Sequence, residues 1–313
     1  MYIAIDGGGT KTEYLLYDQA FQVVGRFVGG GSNHERLADG FEGVQREFAA
    51  STSQLLARCG FSCADVRDVV AGLSGADNSA QVRQLEDVLH RAGFVRVLVC
   101  NDGYLPVMAE CEGGTGIAYN CGTGVCCTAI DSRGHMIKLG GLDEWSDDAG
   151  GGAWLLTQIF RSVYDDAALG LRATAMTTSY AQILGIAPDM LQSMLDESLP
   201  RVKEDGDIQK KLIASFFAAY DRGDAAAAEI GARMIVRAAD YIGAAYRRSA
   251  FDAQPVQIVL AGSILLKAAS ETYLSAFRAA VEARMGCSAC WVKPAHTAAH
   301  GAAVWLAQRN AQA

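Results

Sequence analysis

One local plan occurs twice in this chain, and that repeat limits the folds open to it. Residues 2–18 read YIAIDGGGTKTEYLLYD, and residues 116–131 read GIAYNCGTGVCCTAID. Each copy is a short apolar strand, a tight turn of glycine and threonine, and a second strand with alternating character. A third strand follows each, at 21–28 and at 135–141, and helical sequence comes after. One such meander cannot bury both its faces, so two copies imply two similar units built side by side. A length of 313 residues suits two domains.

The rest of the chain fills in an α/β pattern. Helical spacing of Leu37, Phe41, Val44, Phe48, Leu55 and Leu56 predicts a helix over 36–58. A strand at 66–75 runs into a loop, a helix at 79–93 ends at Gly93, and a buried strand at 95–102 ends in Asp102. Residues 150–250 are mostly helical and rich in alanine, as in DAAAAEIGARM, where alanine serves helix propensity. A last inner strand, PVQIVLAGS at 255–263, closes on a Gly-Ser turn. A helix at 265–285, a short strand at 288–292 and a helix at 296–309 complete the chain.

Composition excludes several classes. Half of the residues are hydrophobic and 20% are charged, as in a folded globular chain. The net charge is −8 with no basic patch, so no nucleic-acid partner is expected. Apolar runs are broken by charge well before the length of a membrane span, and the N-terminus carries Asp6 in a strand rather than a signal peptide. A cytoplasmic protein without a membrane partner is the expectation. Nine cysteines, an odd number in apolar runs, are expected as reduced thiols. Cys287-x-x-Cys290 and His296-x-x-x-His300 offer four zinc-type ligands. Their gap is far shorter than a zinc finger's, so no structural metal is expected there.

The turns carry the chemistry. Gly8, Gly9, Thr10 and Lys11 in the first, Gly122, Thr123 and Gly124 in the second, and Gly262 with Ser263 in the third all follow apolar strands. Glycine lets backbone approach a ligand closely, and successive N–H groups make an anion nest. One such turn alone fits a plain β-hairpin equally well. Two matching turns, with Asp6 and Asp102 at strand ends, favour nucleotide binding. Asp6 suits phosphate only with Mg²⁺ between them, through water. The pattern is neither a Walker A loop nor a dinucleotide fingerprint, because a strand follows the first turn. Asp102 fits both a general base and a helix cap.

The segments DGGGTKTE, GLSGAD, VCNDG, NCGTG, DDAGGGAW and LAGSI, in that order, resemble the sugar kinase/Hsp70/actin superfamily. More narrowly they resemble the BadF/BadG/BcrA/BcrD ATPase family, which includes N-acetylglucosamine kinase and bacterial glucosamine kinase. The resemblance covers almost the whole chain. It implies two actin-like (ribonuclease H-like) domains with ATP in the cleft between them. The expected domains are 1–112 with a closing helix at 296–313, and 113–295 with a helical insertion. It implies a kinase that uses Mg-ATP to phosphorylate the C6 hydroxyl of an amino sugar, either N-acetylglucosamine, glucosamine or N-acetylmuramic acid. Asp102 would be the base, Asp6 would organise Mg²⁺, the three turns would hold ATP, and a homodimer is the expected state. Asn33 matches a sugar-contacting asparagine, although a loop asparagine reads the same way. Asp148 matches the aspartate of a Gly-Asp-Glu-Gly-Ser motif that holds sugar hydroxyls, with Asp147, Ala149 and Gly151 departing from it. Val125 and Cys126 stand where serine is common. In GGLDEW, where relatives carry Gly-Gly-Trp-Gly, Gly141 and Asp143 line the expected sugar site. Asp143 and Glu144 there fit either a partner for a C2 ammonium or a solvated acidic loop. The alternative function is an ATPase that activates a partner protein, as dehydratase and reductase activators do.

Overall fold

The structure is a computed structural model that describes residues 1–312, with the side chains of 309–312 outside the description. The last position of the expected closing segment, residue 313, lies outside the described residues.

The first unit runs β1 (Tyr2–Gly7), β2 (Lys11–Tyr17), β3 (Val23–Gly30), α1 (Gly40–Cys59), β4 (Asp68–Leu73), α2 (Ser79–Arg91), β5 (Val97–Cys100) and α3 (Leu105–Glu110). The second runs β6 (Gly116–Cys121), β7 (Val125–Ile130) and β8 (Met136–Gly140). Five helices follow: α4 (Gly152–Ala167), α5 (Ala175–Leu184), α6 (Leu191–Glu204), α7 (Gly206–Asp221) and α8 (Ala225–Arg247). The chain then forms β9 (Val256–Ala261), α9 (Glu271–Met285), β10 (Ala289–Val292) and α10 (Ala298–Gln312).

Both sheets have the same topology. The first is ordered β3-β2-β1-β4-β5 and the second β8-β7-β6-β9-β10. In each, three strands form an antiparallel meander and two more are added parallel to the first strand. The repeat in the sequence is thus a repeat of a whole sheet. Parallel pairing has a consequence for function. It brings the carboxyl ends of β1, β4 and β5 to one edge, and those of β6 and β9 to one edge of the other sheet.

The period of two along β1 explains its uninterrupted apolar sequence. Ile3 and Ile5 face α1 and α2, packing with Phe48, Leu55, Leu85 and Val88. Tyr2 and Ala4 face the opposite side with Leu105, Met108, Ala299 and Leu306. A strand covered on both faces needs no polar positions. That second cluster also includes Ala118 and Val259 of the second sheet, so α3 and α10 lie between the sheets. The largest cluster fills the second unit, where Tyr119, Ile258, Phe216, Ile242 and Phe277 are buried.

Three helix boundaries differ from the sequence expectation. The helix expected from residue 36 begins at Gly40, because Arg36 and Leu37 donate their N–H groups back to the Asn33 carbonyl in a turn. The helix expected over 265–285 is broken. One turn at Ile264–Ala268 ends at Ala269, which is extended, and the Ser270 hydroxyl then accepts the Tyr273 N–H at 3.2 Å to restart it. The closing helix begins at Ala298, since Ala295 and His296 donate their N–H groups to Glu110 instead. All nine cysteines are free thiols. Cys287 lies beside Tyr246, whereas His296 contacts Glu110 and stacks on His300. Among the described residues no three His, Cys, Asp or Glu side chains are grouped to hold a metal ion. No helix among them is long and apolar enough to cross a membrane.

The α3–α10 contact makes a test of this packing. A Cβ at Gly301 would stand 2.2 Å from the Leu105 carbonyl oxygen, which is backbone and cannot rotate away. Helix propensity alone would make Gly301→Ala stabilising by about 1 kcal/mol. Overpacking costs about 1–3 kcal/mol and should win. Thermal unfolding of Gly301→Ala is expected to show a lower Tm than wild type. An equal or higher Tm would show that the helices do not pack this closely.

Candidate active site

The two sheet edges enclose a cleft of about 810 Å³. Asp102 follows β5 and lines it from the first sheet, and the turn Gly122–Gly124 lines it from the second. Asn33, Gly141, Asp143 and Asp148 line it as well. The structure therefore brings together residues far apart in sequence that were expected to meet at phosphate and sugar.

Asp102 sits in a one-turn helix that starts right after β5. The cap of that turn is Asn101, whose Oδ1 accepts the Gly103 N–H at 3.0 Å. The capping role considered for Asp102 belongs to its neighbour. Burial first, and then the charge of Asp77, push the Asp102 carboxyl up to about 6, against the Gly103 N–H and Lys138, which pull it down. A carboxylate in that range is matched to proton acceptance near neutral pH.

Asp6 is half-buried at the end of β1, beside Asp102 in charge terms. Burial first, then Asp102 and Glu13, raise it to about 7, with Lys11 partly offsetting them. Glu13 is itself held by Arg26 at 2.6 Å.

The first turn is folded as the sequence predicts. Gly8 N–H donates to the Lys11 carbonyl at 3.0 Å, and Ser32 N–H to the Gly8 carbonyl at 3.0 Å. Glycine at position 7 is required, since a Cβ would meet Ser32 Oγ at 2.4 Å. Thr10 and Lys11 are exposed, and Gly8, Gly9, Thr10 and Lys11 are not among the cleft-lining residues. Arg36 lies against Gly9 and lines the cleft in the turn's place. Gly262 and Ser263 are not in the lining either. Gly262 has φ +88° and backs the second turn, where a Cβ would meet the Cys121 carbonyl oxygen at 2.2 Å. The second turn is braced by α4, whose Gly152 and Ala153 N–H groups donate to Gly122 and Thr123 carbonyls at 2.8 and 3.1 Å.

Two sugar candidates are occupied by the protein itself. Asn33 Nδ2 donates to Ser74 Oγ at 3.0 Å, and its Oδ1 accepts the Glu35 N–H at 2.8 Å. That leaves one amide hydrogen and one lone pair of Oδ1 for a ligand. Asp148 is buried, and its oxygens accept from Gly141 N–H, Asp143 N–H and Ser146 Oγ, with the Tyr241 hydroxyl 3.0 Å from Oδ1. The Tyr241 hydroxyl has one proton and also stands 2.6 Å from the Ser146 carbonyl oxygen, so three of the four acceptor positions are filled without it. Asp148 lines the cleft with little acceptor capacity to spare for a sugar hydroxyl. It shapes the 140–148 loop, in which Asp143 and Asp147 hold φ of 52° and 46°. Such backbone is costly without outside support. Arg237 adds support through the Ser146 and Asp147 carbonyls.

Sequence patterns do not single out Lys138, Arg36 or Arg233, which line the cleft, and give no role of its own to Asp77, the last residue of GLSGAD. Lys138 interrupts the apolar run of β8, which was its one visible signal.

The profile of the BadF/BadG/BcrA/BcrD ATPase family matches residues 3–306. An N-acetylmuramic acid/N-acetylglucosamine kinase of Clostridium acetobutylicum is 27% identical over 151 residues, 48% of this chain and 49% of that protein. The aligned part thus spans about half the length of that relative. Two solved structures, both of candidate N-acetylglucosamine kinases, share the fold. The one from Porphyromonas gingivalis has TM-score 0.62 and 18% identity, covering 99% of each chain. The one from Chromobacterium violaceum has TM-score 0.60 and 19% identity, covering 97% of this chain and 98% of that one. With its two repeated five-stranded sheets the fold is actin-like, and the chain belongs to the BadF/BadG/BcrA/BcrD ATPase family.

Proposed function

We propose that this protein is a kinase that transfers the γ-phosphoryl group of ATP to the C6 hydroxyl of an amino sugar. The observation that carries this reading is Asp102. It is a shielded carboxylate on the cleft wall, facing a glycine–threonine turn on the opposite sheet. The cleft lies between two domains, residues 1–112 with the closing helix and 113–295. The kinase name of the Clostridium relative supports the same reaction class.

Asp102 takes the proton of the acceptor hydroxyl, whose oxygen forms a bond to the γ-phosphorus while the bond to the β-phosphate oxygen breaks. ADP leaves and a sugar phosphate remains. The Gly122–Gly124 turn positions phosphate through backbone N–H groups, while Gly8 to Lys11 and Gly262 with Ser263, which lie outside the cleft lining, are in this reading the outer contacts to ATP. Asp6 fits a divalent cation, because it ends β1 beside Asp102 and Glu13, and a cation there would offset the acidic charge that, after burial, raises its carboxyl. A cation with few protein ligands suits Mg²⁺, held by Asp6 through water. Bound there, Mg²⁺ would supply neutralisation of phosphate charge.

Two features bear on the acceptor. Asp143 and Glu144 are exposed and line the cleft, which supports a free C2 ammonium. The Clostridium relative supports an N-acetylated sugar.

ADP release with Mg-ATP, measured against glucosamine, N-acetylglucosamine, N-acetylmuramic acid, N-acetylmannosamine and glucose, names the substrate. Acceptor-dependent turnover is expected, and Asp102→Asn should lower it by about 10²–10⁴-fold. Undiminished turnover in that variant would remove Asp102 as the base. The pH profile gives an independent check. Asp102 near 6 and Asp6 near 7 must both lose protons before the free enzyme can work. Hence log kcat/KM should fall as pH drops below about 7, steepening below about 6, and level off above. A profile flat between pH 5 and 8 would contradict both assignments.

A further inference from the structure

A lysine of the second sheet reaches across the cleft to the first. Lys138 Nζ, from β8, stands 3.0 Å from Asp77 Oδ1, in the loop after β4. The Lys138 side chain is largely shielded, at 17% exposure, and that of Asp77 is at 29% although the residue as a whole is exposed. Shielding matters here, because an ion pair in open solvent holds little. The same Asp77 oxygen accepts a hydrogen bond from Asn101 Nδ2 at 2.8 Å. Asn101 Oδ1 accepts the Gly103 N–H at 3.0 Å. Asn101 and Gly103 flank Asp102, so a continuous chain of contacts runs from Lys138 to the backbone that aims that carboxylate. Lys138 is also the cation that offsets the acidic pair of Asp77 and Asp102.

Resting on the kinase reading above, we propose that Lys138 is a positioning residue. Through Asp77 and Asn101 it fixes the turn that carries Asp102 and ties the two sheets across the cleft. Without the ammonium, Asp77 is a partly exposed carboxylate with no cation, beside the Asp102 carboxylate. Its simplest relief is to turn toward solvent, which releases Asn101. The geometry of the reacting groups then loosens, and a misplacement of about 1 Å costs about 10²-fold in rate.

The test is a double-mutant cycle of Lys138→Met, Asp77→Asn and the pair together, read as kcat and as KM for sugar and for ATP. Asp77→Asn removes the charge and keeps an acceptor for Asn101. Lys138→Met is expected to lower kcat by about 10²-fold with sugar KM changed less than about threefold. The double variant should be no slower than Lys138→Met, since a residue acting through Asp77 has nothing further to lose. Lys138→Arg should recover most of kcat, which a loss of fold would not permit. If Lys138→Met does not fold, Lys138→Gln is read in its place. Additive losses, a defect confined to KM, or unchanged kcat would each overturn this inference alone. A wild type without acceptor-dependent ADP formation would overturn the kinase reading and this role together.

Discussion

Parallel pairing of β1 with β4 and β5, and of β6 with β9, is the constraint on which the cleft depends. It forces every functional loop to leave the carboxyl edge of a sheet. Asp6, Asp77 and Asp102 come from successive strands of one sheet, and the Gly122 and Gly262 turns from the other. Crossover helices then have to cover the faces, which is why α1 and α2 lie on one side of the first sheet and α3 with α10 on the other. The contact between α3 and α10 joins the two repeats where each chain segment leaves its fifth strand.

That arrangement concentrates acid. Burial, then the charge of Asp102, raises Asp6, and burial, then the charge of Asp77, raises Asp102, with Lys11 partly offsetting the first and Lys138 the second. A site of this kind is poorly matched to phosphate by itself and well matched to phosphate carried with a divalent cation. Burial pushes the Cys126 thiol up to about 12, although Lys138 pulls the other way.

Much of this was legible in sequence because it is local. Strand ends, glycine turns and the repeated meander are written in short windows, and the twofold repeat extended to the full order of five strands. Asp102, Asn33 and the Gly122–Gly124 turn reached the cleft as expected. What escaped is long-range or competitive. Lys138 meets Asp77 only because two sheets face each other, and no window of sequence holds both. Asp148 matches a family motif in sequence, yet three of its acceptor positions are taken by the loop around it. Arg36 covers Gly9 because the Asn33 turn delays the start of α1. Ser270 restarts a helix that apolar spacing alone reads as unbroken.

The central claim is that phosphate moves from ATP to a sugar hydroxyl and not to water. Mass spectrometry of the acceptor after incubation with Mg-ATP tests it most directly. The account predicts a sugar that has gained one phosphoryl group at its primary hydroxyl, with ADP formed in equal amount. ADP and inorganic phosphate accumulating beside an unchanged sugar, for every amino sugar tried, would contradict it.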